Sequence, residues 1–210
     1  MSTIEAVGEC YLAPSIKPPW SISKEGIDPF IRLSEAATFD EVGRIVLRVA
    51  NCCGGGSFES GAALLESMMA EPCWILPGGL RVRESGDRNI PPSCCCGLET
   101  WREWFGVLTD RKSPWIGHDP SPWIEHLGDV IRVWSGSSLS NSSAGSEYCI
   151  IFHPEEFATQ LQQVEHDLRR FLTLLKKWAI GIHPSCAEDF VARFDNLFEI
   201  NKAGTRPFEV

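Results

Sequence analysis

Seven apolar residues in the C-terminal third, Phe157, Leu161, Val164, Leu168, Phe171, Leu175 and Trp178, follow one another at spacings of four and three. Only an α-helix brings such positions onto one stripe, so this stretch has to form a long amphipathic helix with apolar neighbours along its length. His153-Pro154-Glu155-Glu156 supplies its start, because proline is pre-set for the first helical turn and the carboxylates face the positive end of the dipole. The heptad spacing admits a seam between two copies, a homodimer through the stripe from Phe157 to Trp178. Leu172 and Ala179 widen the stripe, which favours packing within its own domain and a monomer. Ser185-Cys186-Ala187-Glu188 has the form of a capping box and opens a last helix that buries Phe190, Phe194, Leu197 and Phe198.

The rest of the chain alternates helical and extended signals. Residues 1–30 hold Pro14, Pro18, Pro19 and Pro29 with little periodicity, and read as an extended arm, anchored through Trp20, ahead of a single domain over 31–210 in which regular structure begins. Thr38-Phe39-Asp40-Glu41 is a capping box, and Val42, Ile45, Val46 and Val49 predict a helix over 40–52 that stops at Gly54-Gly55-Gly56. A second helix, capped by Ser57, carries Phe58, Ala62, Leu65 and Met69 and ends at Pro72. Short apolar runs between turn residues predict strands within 73–90, and 129–134 and 148–152 read as two more, joined by a flexible Ser/Gly loop over 135–147. Leu98, Trp101, Phe105 and Leu108 place a helix over 97–108, with Trp104 beside the stripe, whereas the three prolines of 113–122 make that segment irregular and rigid. The expected class is α+β: a small antiparallel sheet packed against several amphipathic helices, with a helical C-terminal third.

The 210 residues carry a net charge of −9, which argues against nucleic acid as a partner, since phosphate binding takes clustered Lys and Arg, and for a basic protein partner if the charge is used. MSTIEAVGEC lacks the basic start and apolar run of a secretion signal, and no stretch reaches the roughly 18 apolar residues of a membrane span. The expectation is a cytoplasmic protein without membrane contact, whose nine cysteines are free thiols.

Chemistry concentrates in residues 91–134, with five of the eight tryptophans, two of the five histidines and the run Cys94-Cys95-Cys96. The spacing is poor for metal: no Cys-x-x-Cys and no helical His pair exist, and adjacent thiolates are expected to point apart. A zinc set built from Cys95 or Cys96 with His118 and His126 is the one geometry left, and no metal or other cofactor is assigned. Thiol catalysis is the enzymatic alternative. Cys95 or Cys96 at the N-terminus of the helix over 97–108 would be the nucleophile, His118 or His126 the base, and Asp119 or Glu125 its orienter. Against it stands the use of cysteine as a small buried residue at a tight corner. Cys52-Cys53-Gly54-Gly55-Gly56-Ser57 lacks the lysine of a phosphate loop, and there is no Gly-x-Ser-x-Gly turn. What remains is an aromatic and acidic set, Glu103, Trp115, His118, Asp119, Trp123 and Glu125, with the composition of a contact surface for a protein partner. Trp101 and Trp104, on their helix, read as core.

In this segment the chain resembles a group of uncharacterised bacterial proteins with the pattern Cys94-Cys95-Cys96-Gly97-Leu98-Glu99, Trp101, Glu103-Trp104, then Pro114-Trp115, Gly117-His118-Asp119-Pro120-Ser121-Pro122-Trp123 and Glu125-His126. The likeness runs from about Trp74 to the final helix. In size, charge and lack of a targeting signal it is also similar to small acidic bacterial immunity proteins. That resemblance implies a non-enzymatic protein that neutralises a cognate toxin domain, a basic one if the charge is used, by occluding its active or substrate site.

Overall fold

The computed structural model describes residues 1–12, 18–23, 28–54, 58–86, 88–136 and 147–202. The fold is α+β, with two antiparallel sheets and long C-terminal helices. The strands are β1 (Ser2–Glu9), β2 (Phe30–Arg32), β3 (Gly78–Glu84), β4 (Asn89–Ile90), β5 (Trp123–Leu127), β6 (Val130–Trp134) and β7 (Cys149–Phe152), in the orders β2-β1-β3-β4 and β5-β6-β7. The helices are α1 (Phe39–Cys52), α2 (Gly61–Ala70), α3 (Gly106–Thr109), α4 (Pro154–Ile182) and α5 (Ala187–Phe198), with a 3₁₀ helix over Leu98–Phe105. No helix among the described residues is long and apolar enough to cross a membrane.

The chain divides into two compact units, and both β1 and α4 contribute to each. One unit takes Met1–Ala6 and Gly78–His166. Arg81 on β3, itself buried, meets Glu5 of β1 at 3.0 Å, so each charge is taken out of water together with its partner. β3 turns back into β4, with Val82 opposite Ile90. In the second sheet Ile124, Val133 and Ile150 stand in one cross-strand row and His126, Ile131 and Phe152 in the next, which makes that face the inner one. Trp104 stacks on Phe157 of α4, 6.2 Å between ring centres, and Phe152 meets Phe157 edge-on at 5.5 Å.

The other unit takes Val7–Pro77 and Asp167–Lys202. Thr38 and Glu41 form the expected capping box at α1. Trp74 packs on Phe190 and Phe194 of α5, and Trp20 meets Trp178 edge-on at 4.9 Å, the anchor expected for the N-terminal segment. All seven residues of the 157–178 stripe are buried within the chain, so a dimer seam along it would have to displace contacts the chain already makes.

Several local expectations are corrected. Regular structure begins at Ser2, inside the 1–30 segment expected to be an extended arm, because Ile4, Ala6 and Val7 give β1 buried side chains, and Gly8 lacks the Cβ that would lie 2.6 Å from Ile45. Helix α2 is capped by Ser60, whose hydroxyl accepts from the Ala63 amide, and buries Leu64, Leu65 and Met68; Ser57, with Gly55 and Gly56, lies outside the described residues. Helix α5 starts one residue later than the Ser185 box implied. Cys186 is its cap, and the Ser185 hydroxyl bonds His183 Nδ1 instead. Most of the 135–147 loop also lies outside the described residues.

The correction at 97–108 is one of period. Its buried residues are Leu98, Trp101, Trp104 and Val107, three apart throughout, whereas Phe105 and Leu108 are only half-buried. A three-residue repeat aligns side chains on a 3₁₀ helix, where i and i+3 eclipse, and the backbone follows it until α3 takes over.

Candidate functional site

The cysteine run forms a tight turn. The Cys96 amide donates to Ser93 O at 3.2 Å, so Cys94 and Cys95 are the central residues, and Cys95 takes a φ of 65°, the left-handed conformation that such a third turn position demands and that glycine or asparagine normally fills. Two neighbours hold the turn. The Gly78 amide at the start of β3 donates to Cys96 O at 3.1 Å, and a Cβ on Gly79 would come within 3.2 Å of Cys96 Sγ. Opposite, the Ser93 amide donates to Ile116 O at 3.0 Å and the Asp119 amide to Ser93 Oγ at 3.1 Å. Gly117, at φ 99°, makes that approach possible, since a Cβ there would lie 2.7 Å from Cys94 O.

The consequence is convergence of three exposed donors. Cys94 Sγ lies 3.8 Å from Cys95 Sγ, 3.4 Å from His118 Nε2 and 3.7 Å from His118 Nδ1. Divergence of adjacent thiols holds for an extended chain, where successive side chains alternate, and fails here because one residue of positive φ folds the second thiol back.

The enzymatic set is not assembled as expected. Cys96 is buried, with its thiol 3.9 Å from Trp115 O and 4.0 Å from Thr100 Oγ1, and burial pushes that thiol up, away from thiolate. Gly97 is the helix cap and the Glu99 side chain folds back over it, so a carboxylate already faces the amide end intended for a thiolate. At Cys94, which the sequence reading passed over, desolvation and then the hydrogen bond to Cys95 push the thiol up as well. His126 sits elsewhere, on β5, in a cavity of about 210 Å³ with Val107, Leu108, Arg111 and Pro154 among its walls. Its Nε2 is buried without a hydrogen-bond partner among the described residues, and burial, then the Arg111 charge, hold its pKa below the ordinary 6.5. Of the four named residues, Cys95 and His118 come together; Cys96 and His126 do not join them. Of the two orienters, Asp119 is tied by its amide to Ser93, and Glu125 accepts from Trp134 Nε1 at 3.1 Å and pairs with Arg132.

The aromatic residues separate as composition suggested. Trp101 and Trp104 are core, at 1% and 2% exposure, whereas Trp115 is 52% and Trp123 42% exposed. Trp115 lies against the His118 ring, 6.1 Å between centres. Glu103, His118 and Asp119 are exposed and Glu125 half-buried. No family model, curated protein or solved structure matches the chain. Function has therefore to be read from the geometry of these residues.

Trp123 is a strand residue, not part of the proline loop: the alternation of 123–127 was obscured because its inward positions are Ile124 and the polar His126. Its partner across the ladder is Trp134, and the two rings stack 5.6 Å apart and nearly parallel, with the Trp123 indole N–H on Glu147. The pairing puts Glu125 opposite Arg132 and Ile151 beside Arg132 on this outer face, with Leu127 at its end; Leu127 and Ile151, both 48% exposed, are surface apolars that sequence reading missed.

Proposed function

We propose that this protein is a non-enzymatic binding protein, an immunity protein that neutralises a cognate bacterial toxin by occluding its active or substrate site. The observation that carries the reading is the exposure of Trp115 and Trp123 on backbone that is already fixed. Trp115 follows Pro114 and rests against His118, while Trp123 is stacked on Trp134 in a paired strand. Large aromatic groups held in one rotamer lose little entropy on association, and tryptophan is enriched among the residues that dominate binding energy. Asp119, Glu125 and Glu147 supply negative charge around these anchors, Glu103 adds an exposed carboxylate on the 3₁₀ helix, and a net charge of −9 steers a basic toxin domain toward the protein.

The enzymatic alternative, Cys95 or Cys96 with His118 or His126, draws support from the Cys95–His118 proximity alone, because Cys96 is buried and His126 lies in a separate cavity. The test is co-expression with any toxin domain that a neighbouring reading frame proves to encode. The expected result is restored growth and a co-purifying complex, retained when Cys95 and Cys96 are both replaced by alanine. No rescue and no complex overturns the reading, and rescue that disappears in the folded double-cysteine variant favours the enzyme.

A further inference from the structure

We propose that Cys94, Cys95 and His118 are the three protein ligands of a tetrahedral zinc site whose fourth position opens to solvent. Among the described residues, these are the side chains whose cysteine, histidine or carboxylate donor atoms gather as a group of three, all within 4.8 Å of one another. Zinc–sulfur bonds of about 2.3 Å and zinc–nitrogen bonds of about 2.0–2.1 Å, at tetrahedral angles, place two sulfurs roughly 3.8 Å apart and sulfur from nitrogen roughly 3.6 Å apart. The observed separations are 3.8 Å between the two sulfurs and 3.4 Å from Cys94 Sγ to His118 Nε2. These two distances have the lengths of polyhedron edges, but Nδ1 lies only 3.7 Å from the same sulfur, so the exposed imidazole has to turn to aim a nitrogen lone pair at the ion; two sulfurs with one imidazole are a donor set that selects zinc over calcium or magnesium.

A second observation is independent of those distances. Cys95 occupies a left-handed backbone position, unfavourable for a residue with a Cβ, and the loop that carries His118 is brought onto the turn by Gly117, also at positive φ. A glycine at position 95 would satisfy the turn without strain; the cysteine is what closes the thiol pair. The ring of Trp115 lies beside that of His118, 6.1 Å between centres, and gives the imidazole an aromatic neighbour on one side. On binding, hydrated zinc sheds all of its waters but the one left in the fourth position as the two sulfurs and one ring nitrogen take their places, the two thiols release their protons to solvent, and the bound ion with its two thiolates is neutral overall. Because all three ligands are exposed, the site is reachable without opening the fold.

The test uses the full chain, reduced, stripped with chelator and desalted, then titrated with Co²⁺ as a spectroscopic probe and back-titrated with Zn²⁺. Expected are saturation at about one equivalent, visible bands of tetrahedral intensity, a thiolate-to-cobalt charge-transfer band, and displacement by zinc. Cys94→Ser, Cys95→Ser and His118→Ala should each weaken zinc binding at least ~100-fold while keeping a native circular dichroism spectrum, and Cys73→Ser, which removes an exposed thiol of the other unit, should change nothing. Gly117→Ala should weaken binding while leaving both thiols titratable, which identifies Gly117 as a positioning residue. The proposal is overturned if no saturable band forms, if the band survives all three ligand substitutions, or if Cys94 and Cys95 prove to be joined as a disulfide and bind no ion after reduction.

Discussion

Replacing Cys95 by glycine should stabilise the metal-free protein and destabilise it relative to wild type once zinc is present. A residue with a Cβ in the left-handed region carries about 1–2 kcal/mol of strain, and Cys95, at φ 65°, is such a residue. Glycine removes that strain but raises the entropy of the unfolded chain, which costs about 0.4–1 kcal/mol. The net expectation is a gain of about 0.5–1 kcal/mol, or roughly 1–4 °C in Tm for a chain of this size. Cys94, its neighbour in the same turn, has no positive φ, so Cys94→Gly should lose about 0.5–1 kcal/mol. With free zinc held at about 100 times Kd, wild type gains about 2.7 kcal/mol and Cys95→Gly, lacking a ligand, gains far less, so the ranking inverts. Urea denaturation of the three proteins in chelator and in buffered zinc measures all of this. If Cys95→Gly is less stable than wild type in chelator, or if zinc stabilises it as much as wild type, the strain-for-function reasoning is wrong.

Other expectations follow from particular contacts. Val107→Ala should cost about 2 kcal/mol and more than Leu108→Ala, although leucine loses more atoms, because the three-residue period buries Val107 fully and leaves Leu108 half-buried; equal or reversed losses in denaturant melts would contradict the 3₁₀ assignment. Gly117→Ala should cost at least ~2 kcal/mol, since the new Cβ meets backbone of Ser93 and Cys94 at a strained φ, and a neutral result by thermal melting would remove the clamp from the account. His126 has a folded-state pKa held below 6.5, so the unfolded chain takes up its proton first. Its contribution is complete above that ordinary value and is lost as pH falls from there through the lower folded-state pKa. The stability difference between wild type and His126→Gln should therefore shift against wild type between neutral and mildly acid pH, and a pH-independent difference would refute the burial argument.

Elements set by a repeated local pattern were legible in the sequence. The stripe from Phe157 to Trp178 and the Thr38–Glu41 capping box determine α4 and α1 because each needs only residues three or four apart. Likewise Trp115 and Trp123 could be separated from Trp101 and Trp104 by whether a helical partner surface was available to them. What escaped depends on few residues or on distant ones. β5 was hidden by one polar residue on its inner face, and β1 takes its burial from residues far along the chain. The thiol pair was out of reach because a single backbone angle at Cys95 reverses the divergence that adjacent side chains ordinarily show.

The most direct test of the proposed role is the dissociation constant for a candidate cognate toxin domain, measured for wild type, Trp115→Ala, Trp123→Ala and Ile180→Ala, an exposed apolar residue of the other unit. Losses of at least ~30-fold for each tryptophan variant, with unfolding midpoints near wild type and Ile180→Ala unchanged, are the expected result. Tryptophan variants that bind as tightly as wild type would contradict it.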